Sequence, residues 1–436
     1  MIARYSRPEM QGLWDDAAVY ASWLEVELAA AEAMSTRGIV PPDVMEQLRA
    51  ATPPDAERVL EIERRTRHDV IAFLEAIEEQ VGPAARFLHL GMTSSDVLDT
   101  SLALRCVRSL DMILAGWTEV VELLGERAVE FKRLPCVGRS HGIHAEPITF
   151  GLKILSWQQE FVRAQERLVR AREVVAFGQV SGAVGTYNTV EPGVEADAMA
   201  ALGLAVEPVS TQVVPRDRHA EMLSHMAVAA AAIERIATEI RGLQRTEVRE
   251  VEEPFGKGQK GSSVMPHKRN PIKCENLVGL ARLVRAYAGT GLENIALWHE
   301  RDISHSSVER VALADACILL DFMVHRIKGV IAGMHVYPEN MQRNLDHTNG
   351  LVFSSRVLER LISSGVIRSE AYVLIQRNAM RCWESGEPFQ KVLAADEDIA
   401  ARLSEQELAD CFDVDKVLVH LDTIFERTLG PVMEQD

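Results

Sequence analysis

Six cysteines in 436 residues, none of them in a Cys-x-x-Cys pair, are too few and too scattered for a disulfide framework or a thiolate zinc cluster. Cys106, Cys136, Cys274, Cys317, Cys382 and Cys411 are expected to be plain thiols. Long apolar runs are missing too. A membrane span needs roughly 18 to 20 uncharged residues, and the nearest approach, from Met226 to Ile233, is cut off by Glu234 and Arg235. The opening segment, with Arg4, Arg7, Pro8 and Glu9, has neither the apolar centre nor the small-residue cleavage site of a secretory signal, so a cytoplasmic location is expected. Positive charge is in deficit: 47 Lys and Arg against 64 Asp and Glu leave a formal charge of −17. That balance opposes non-specific attraction to nucleic acid or to an anionic membrane. The remaining composition, 47% hydrophobic and 25% charged, is that of a soluble globular chain long enough for two to four structural units.

The dominant pattern is helical. From Arg105 to Phe131, apolar residues at Leu110, Ile113, Leu114, Trp117, Val120, Val121, Leu124 and Ala128 recur at spacings of three and four, the signature of one helix face. Similar runs extend from Leu152 to Phe177 and from His219 to about Val251, with two more near Ile272–Trp298 and Ser306–Val330. At a rise of 1.5 Å per residue each such helix is on the order of 40 Å long. Long helices of matched length predict an all-α bundle whose stripes are buried along the axis. Breaks fall at 178–193 and 254–261, both rich in glycine, and these loops are where function is expected. Shorter helices flank the bundle, so the expected division is 1–92, 93–340 and 341–436.

The segment from Gly256 to Pro271 is the most unusual in the chain. It opens with Gly-x-Gly-x-x-Gly, but it follows a charged helical run, leads into Ser-Ser and has no β-α-β pattern in its flanks, so a dinucleotide fold is rejected. Ser262 stands where a P-loop needs lysine. The segment does offer hydroxyls together with Lys257, Lys260, Lys268, Arg269 and Lys273 inside an acidic protein, a combination suited to binding an anion.

The run Gly261-Ser262-Ser263-Val264-Met265-Pro266-His267-Lys268-Arg269-Asn270-Pro271 resembles the signature loop of the fumarase/aspartase superfamily, and two more segments match it in order: Gly91-Met92-Thr93-Ser94-Ser95-Asp96, and Gly138-Arg139-Ser140-His141-Gly142-Ile143-His144-Ala145-Glu146-Pro147. Within the superfamily the chain is similar, over essentially its whole length, to the short bacterial type of adenylosuccinate lyases. The discriminating stretches are Met1–Pro8, Thr66–Val70, Ser210–Gln212 and Trp298–Ser307. Ser140, where members often carry threonine, is a small departure that keeps the hydroxyl.

The resemblance implies a three-unit fumarase/aspartase-type fold and β-elimination of fumarate from succinyl-purine ribotides, with no cofactor. The reaction needs a base for a weakly acidic proton α to a carboxylate, and an acid for the departing nitrogen. By resemblance the base is Ser262, with Ser263 the alternative, and the acid is His141. Lys268, Asn270, Thr93 and Ser94 match positions that stabilise charge on the carboxylate, while His68 and His89 match assisting positions near the phosphate and the acid. Arg4, Tyr5, Arg67, Asp69, Gln212, Arg301, Ser306 and Arg310 match nucleotide- and succinyl-binding positions. A homotetramer with shared sites is also implied. His141 and His144 have the spacing of a metal pair, but no third ligand is suggested nearby, so no metal is expected. The competing readings are a cycloisomerase-type or argininosuccinate-type enzyme and, from another class, a catalytically silent relative.

Overall fold

The computed structural model describes residues 1–430 with the exception of Lys257 and Ser263. The periodic runs form the helices Ser94–Glu130, Phe150–Val175, Asp217–Leu243, Ile272–Glu293 and Ser304–Gly333. Their apolar stripes are buried as the spacing requires: Leu110, Ile113, Trp117, Val120, Leu124 and Ala128 are fully inaccessible, whereas Leu114 and Val121, on the flank of the stripe, are only half-buried.

Three boundaries differ from the periodicity. The first helix begins well before Arg105, because its opening turns bury polar residues, among them Asp96, Thr100 and Ser101, that an apolar count misses. The third ends at Leu243 rather than near Val251. Arg249 adopts a left-handed φ of 48°, and Val251–Glu252 pairs antiparallel with His335–Val336. The fourth ends at Glu293, leaving Trp298 exposed beyond it.

Contacts divide the chain into two compact units, the first built from Met1–Glu119, Arg163–Glu234 and Asn276–Ile327, the second from Val120–Val162, Arg235–Glu275 and Lys328–Asp436. In the first unit the Asp16–Thr36 helix, capped by the Asp15 carboxylate on the Ala18 amide at 2.8 Å, packs against Pro192–Leu202. Tyr20 stacks on Phe73 at 6.2 Å between centroids, and Trp23 meets Phe73 edge-on at 5.5 Å. In the second unit an antiparallel hairpin, Pro135–Ser140 with Ile143–Thr149, packs against the Pro338–Asp346 helix. The C-terminal helices close around Val357, Leu361, Phe389 and Leu393. All six cysteines are free and buried. Among the described residues no helix is long and apolar enough to cross a membrane.

Phe73 is fully buried in the first unit's aromatic cluster. Phe73→Ala is expected to cost about 3–5 kcal/mol, read as a lowered midpoint in urea unfolding followed by circular dichroism. A loss below about 1 kcal/mol would contradict this packing.

Candidate active site

The matched residues fall into two groups, one in each unit. In the first unit the Ala56–Thr66 helix ends at Arg67, which takes a left-handed φ of 56°, and the chain turns at once into the Asp69–Val81 helix, whose N-cap is His68. The reversal exposes Arg67 and His68 and half-buries Asp69. Asp69 accepts a hydrogen bond from Arg310 Nη2 at 2.5 Å and another from the Val70 amide at 2.8 Å. Burial works against its charge, yet Arg310 holds the Asp69 carboxyl below its ordinary range. Arg301 donates to Gln212 Oε1 at 3.0 Å and to His305 Nε2 at 3.3 Å. Asp69, Arg301, Ser306 and Arg310 line one cavity of about 300 Å³, together with Trp14 and Arg105. Arg4, Tyr5, Arg67, His68, His89, Thr93, Ser94 and Gln212 do not line it. Arg4 and Tyr5 form a short 3₁₀ turn, where the Tyr5 ring meets Phe322 edge-on at 5.7 Å.

His89 is held by a residue to which the sequence reading assigned no role. Glu27, fully buried on the Asp16–Thr36 helix, accepts from the His89 amide at 2.6 Å, and its other oxygen lies 2.7 Å from His89 Nδ1. Burial disfavours the imidazolium, but the Glu27 carboxylate outweighs it and raises the His89 pKa above the ordinary imidazole value. The available signal was weak, because the same alanine-rich helix also carries Glu25 and Glu32, which pair with Arg108 and Arg49 at the surface.

Thr93 donates its amide to Asp96 Oδ2 at 2.9 Å, at the start of the Ser94–Glu130 helix. Asp96 also accepts from the amides of Ser181 and Gly182 at 3.1 and 3.2 Å, so one carboxylate ties the helix start to the loop after Phe177–Gly178. Burial pushes its pKa up to about 6 in spite of these donors. Gly91 is required beside it. A Cβ there would lie 2.1 Å from the Thr189 carbonyl oxygen, and its φ is +74°.

In the second unit His141 and Gly142 form the two-residue tip of the hairpin, with φ of 55° and 79°, the sign pattern of a type I′ turn. A histidine at positive φ is strained, and strain of this kind concentrates at working positions. The tip is exposed. His144, cross-strand from Arg139, has its pKa lowered by burial and then by Arg139 and His347, which favours its neutral form.

The signature loop is fastened at its base. Glu253, buried, accepts from the amides of Lys273 and Cys274 at 3.1 and 3.0 Å, capping the Ile272–Glu293 helix, and Lys273 Nζ returns a bond to the Pro254 carbonyl at 2.6 Å. Inside the loop Asn270 Nδ2 donates to the Gly261 carbonyl at 2.9 Å. A Cβ on Gly261 would meet the Lys268 carbonyl oxygen at 2.0 Å, so this crossing of the chain admits only glycine. Ser262 Oγ accepts from the Met265 amide at 3.1 Å and the Val264 amide at 3.3 Å. Two donors aimed at one hydroxyl oxygen favour negative charge on it. Lys268 is exposed and has no ion-pair partner among the described residues. Ser263 lies outside the described residues. Also among the described residues, no group of three or more His, Cys, Asp or Glu side chains is arranged to hold a metal ion.

Glu309, His305 and Asp99 also line the cavity of the first unit; Glu309 lies 3.0 Å from His305 Nδ1 and 3.6 Å from Arg216 Nε, and Arg216 also pairs with Asp99. Burial opposes its charge, but His305 and Arg216 hold the Glu309 pKa down at about 2. A depressed carboxylate contributes stability that is fully present above its unfolded value and lost as pH falls through the folded one. Glu309→Gln is therefore expected to destabilise most near neutral pH, with the gap to the parent protein closing as pH falls from 4.5 toward about 2. Urea unfolding across that range checks it, and a gap independent of pH would contradict it.

A family model described as lyase matches residues 3–286, and one described as adenylosuccinate lyase C-terminus matches residues 350–428. The chain is 52% identical to adenylosuccinate lyase of Thermotoga maritima over 427 residues, 98% of this chain and 99% of that one. It is 48% identical to the Bacillus subtilis adenylosuccinate lyase over the same shares of the two chains. Among solved structures, fumarate lyase from Mesorhizobium sp. BNC1 matches with a TM-score of 0.90 at 26% identity, over 99% of this chain and 100% of that one. The 3-carboxy-cis,cis-muconate lactonizing enzyme from Pseudomonas putida matches with a TM-score of 0.90 at 28% identity, over 98% and 97%. With near-complete coverage at about half identity, and an all-α fold shared with these structures, the chain belongs to the adenylosuccinate lyase family of the fumarase/aspartase superfamily and is a lyase.

Proposed function

We propose that the protein cleaves adenylosuccinate to AMP and fumarate, and the succinyl-carboxamide ribotide SAICAR to AICAR and fumarate. The observation that carries this reading is the near-complete span over which the chain matches proteins named adenylosuccinate lyase. In the proposed mechanism Ser262, as alkoxide, takes the proton from the carbon α to one carboxylate of the succinyl group. The electron pair left behind forms the fumarate double bond as the adjacent C–N bond breaks, and His141 delivers a proton to the departing nitrogen. A serine is a weak base at neutral pH, so the loop has to close, exclude water and surround the oxygen with donors. The Val264 and Met265 amides on Ser262 Oγ support that role, as does Lys268, which has no ion-pair partner among the described residues. Ser263 is the alternative base.

In this reading Lys268, Asn270, Thr93 and Ser94 hold the carboxylate on which charge develops. Arg4, Tyr5, Arg67, Arg301, Ser306 and Arg310 take the nucleotide, with His68, Asp69 and Gln212 beside them, and His89 supports the acid. Residues from different copies of the chain complete each site of a homotetramer, in the cytoplasm. The division 1–92, 93–340 and 341–436 belongs to the same reading.

Following the absorbance of adenylosuccinate tests the substrate, and an unchanged signal with an intact tetramer would overturn the choice. Ser262→Ala and His141→Ala are each expected to lower kcat by about 10²–10⁴ while light scattering still reports a tetramer. Near-normal turnover in either variant would reassign that residue, and a fully active monomer would refute the shared sites.

A further inference from the structure

The His141 tip is exposed, and only the strand pairs Ser140↔Ile143 and Arg139↔His144 lie directly behind it. Below Arg139 the register shifts, so regular pairing to the root of the hairpin does not aim the tip. A different device spans the shift. Arg139 forks onto Glu250, Nη2 to Oε1 at 2.6 Å and Nη1 to Oε2 at 3.1 Å. Glu250 is 1% exposed, and its Oε1 also accepts from Asn344 Nδ2 at 2.8 Å. Asn344 sits on the Pro338–Asp346 helix and donates in addition to the Val248 carbonyl at 2.8 Å. The Glu250 backbone is itself held, its amide bonding the Leu243 carbonyl at 3.0 Å and its carbonyl accepting the Tyr337 amide at 3.0 Å. A continuous chain of directed bonds therefore runs from a helix through a buried carboxylate to the residue two places before His141.

A buried ion pair is a poor device for stability alone, because an apolar pair of similar volume does as well or better. What a bidentate guanidinium–carboxylate fork adds is orientation. We propose that Arg139, Glu250 and Asn344 are positioning residues that aim the hairpin tip, and through it His141, for proton transfer. The proposal rests on His141 being the proton donor.

Steady-state kinetics with adenylosuccinate on the full tetrameric protein tests it. The double replacement R139M/E250M removes both charges together, so its thermal midpoint should stay close to that of the parent. Its kcat should nevertheless fall about ten- to a hundred-fold, because small misplacements of a reacting group carry penalties of that order, with KM changed less than about threefold. Arg139→Lys, which keeps the charge but not the fork, should show the same split and serves if the double replacement does not fold. In a His141→Ala background R139M/E250M should lower the residual kcat by less than about twofold, since its effect runs through His141. A kcat within about twofold of the parent in both R139M/E250M and Arg139→Lys would overturn the proposal. So would an equal fall with and without His141, which would mark a merely structural effect. Near-normal turnover of His141→Ala by itself would instead sink the proton-donor reading, and the positioning role with it.

Discussion

A carboxylate taken out of water has to be met by donors, and this constraint holds the motif-bearing segments of the protein in place. Glu27, Asp96, Glu250 and Glu253 are all buried. Glu27 grips the backbone and ring of His89, Asp96 gathers the amides of Thr93, Ser181 and Gly182, Glu250 takes the Arg139 fork, and Glu253 caps the helix that leaves the signature loop. Each joins a segment carrying matched residues to a helix or a buried strand. Removing one donor set would leave an unpaired buried charge, so these fastenings are coupled to the fold rather than added to it.

The same constraint puts the strongly negative formal charge in perspective. Part of the acid, Glu27, Asp96, Glu250 and Glu253 among it, is engaged inside the chain, and an anionic ligand meets local groups rather than the average. Among the described residues Arg301 bonds to Gln212 and His305 rather than to a carboxylate, and Lys268 has no carboxylate partner. Arg310 is held by Asp69, but at an exposed position beside the cavity. Net charge describes solubility; the sites are set by which cations are left without acids.

Much of the architecture was legible because long amphipathic helices announce themselves by spacing. Leu110, Ile113, Trp117 and Leu124 are buried where the period of 3.6 puts them. The helix starts were less visible: Ser95 to Ser101 looks polar, and its burial depends on partners such as Gln179 and Ser181, far along the chain. Within the Pro135–Thr149 hairpin, Gly138 to Pro147 is legible in the sequence as a motif but not as strands. Its His-Gly turn is a weaker signal than the Asn-Gly or Asp-Gly pairs that usually mark a type I′ turn. Glu27 and Glu250 are not legible as partners of His89 and Arg139 for a related reason, because each stands among other glutamates, Glu25 and Glu32 or Glu247, Glu252 and Glu253, that read as solvated surface groups.

By itself the sequence determined the helical periods, the breaker-rich loops and the motif residues His141, Ser262 and Lys268, because these are local in the chain and depend on side-chain type and spacing. Tertiary structure alone decided which acid meets which donor: Glu27 with His89, Asp69 with Arg310, Glu250 with Arg139. Those partners stand 62, 241 and 111 residues apart. Hydrogen bonds and ion pairs act over a few ångströms, so no pattern along the chain encodes them until the helices have packed.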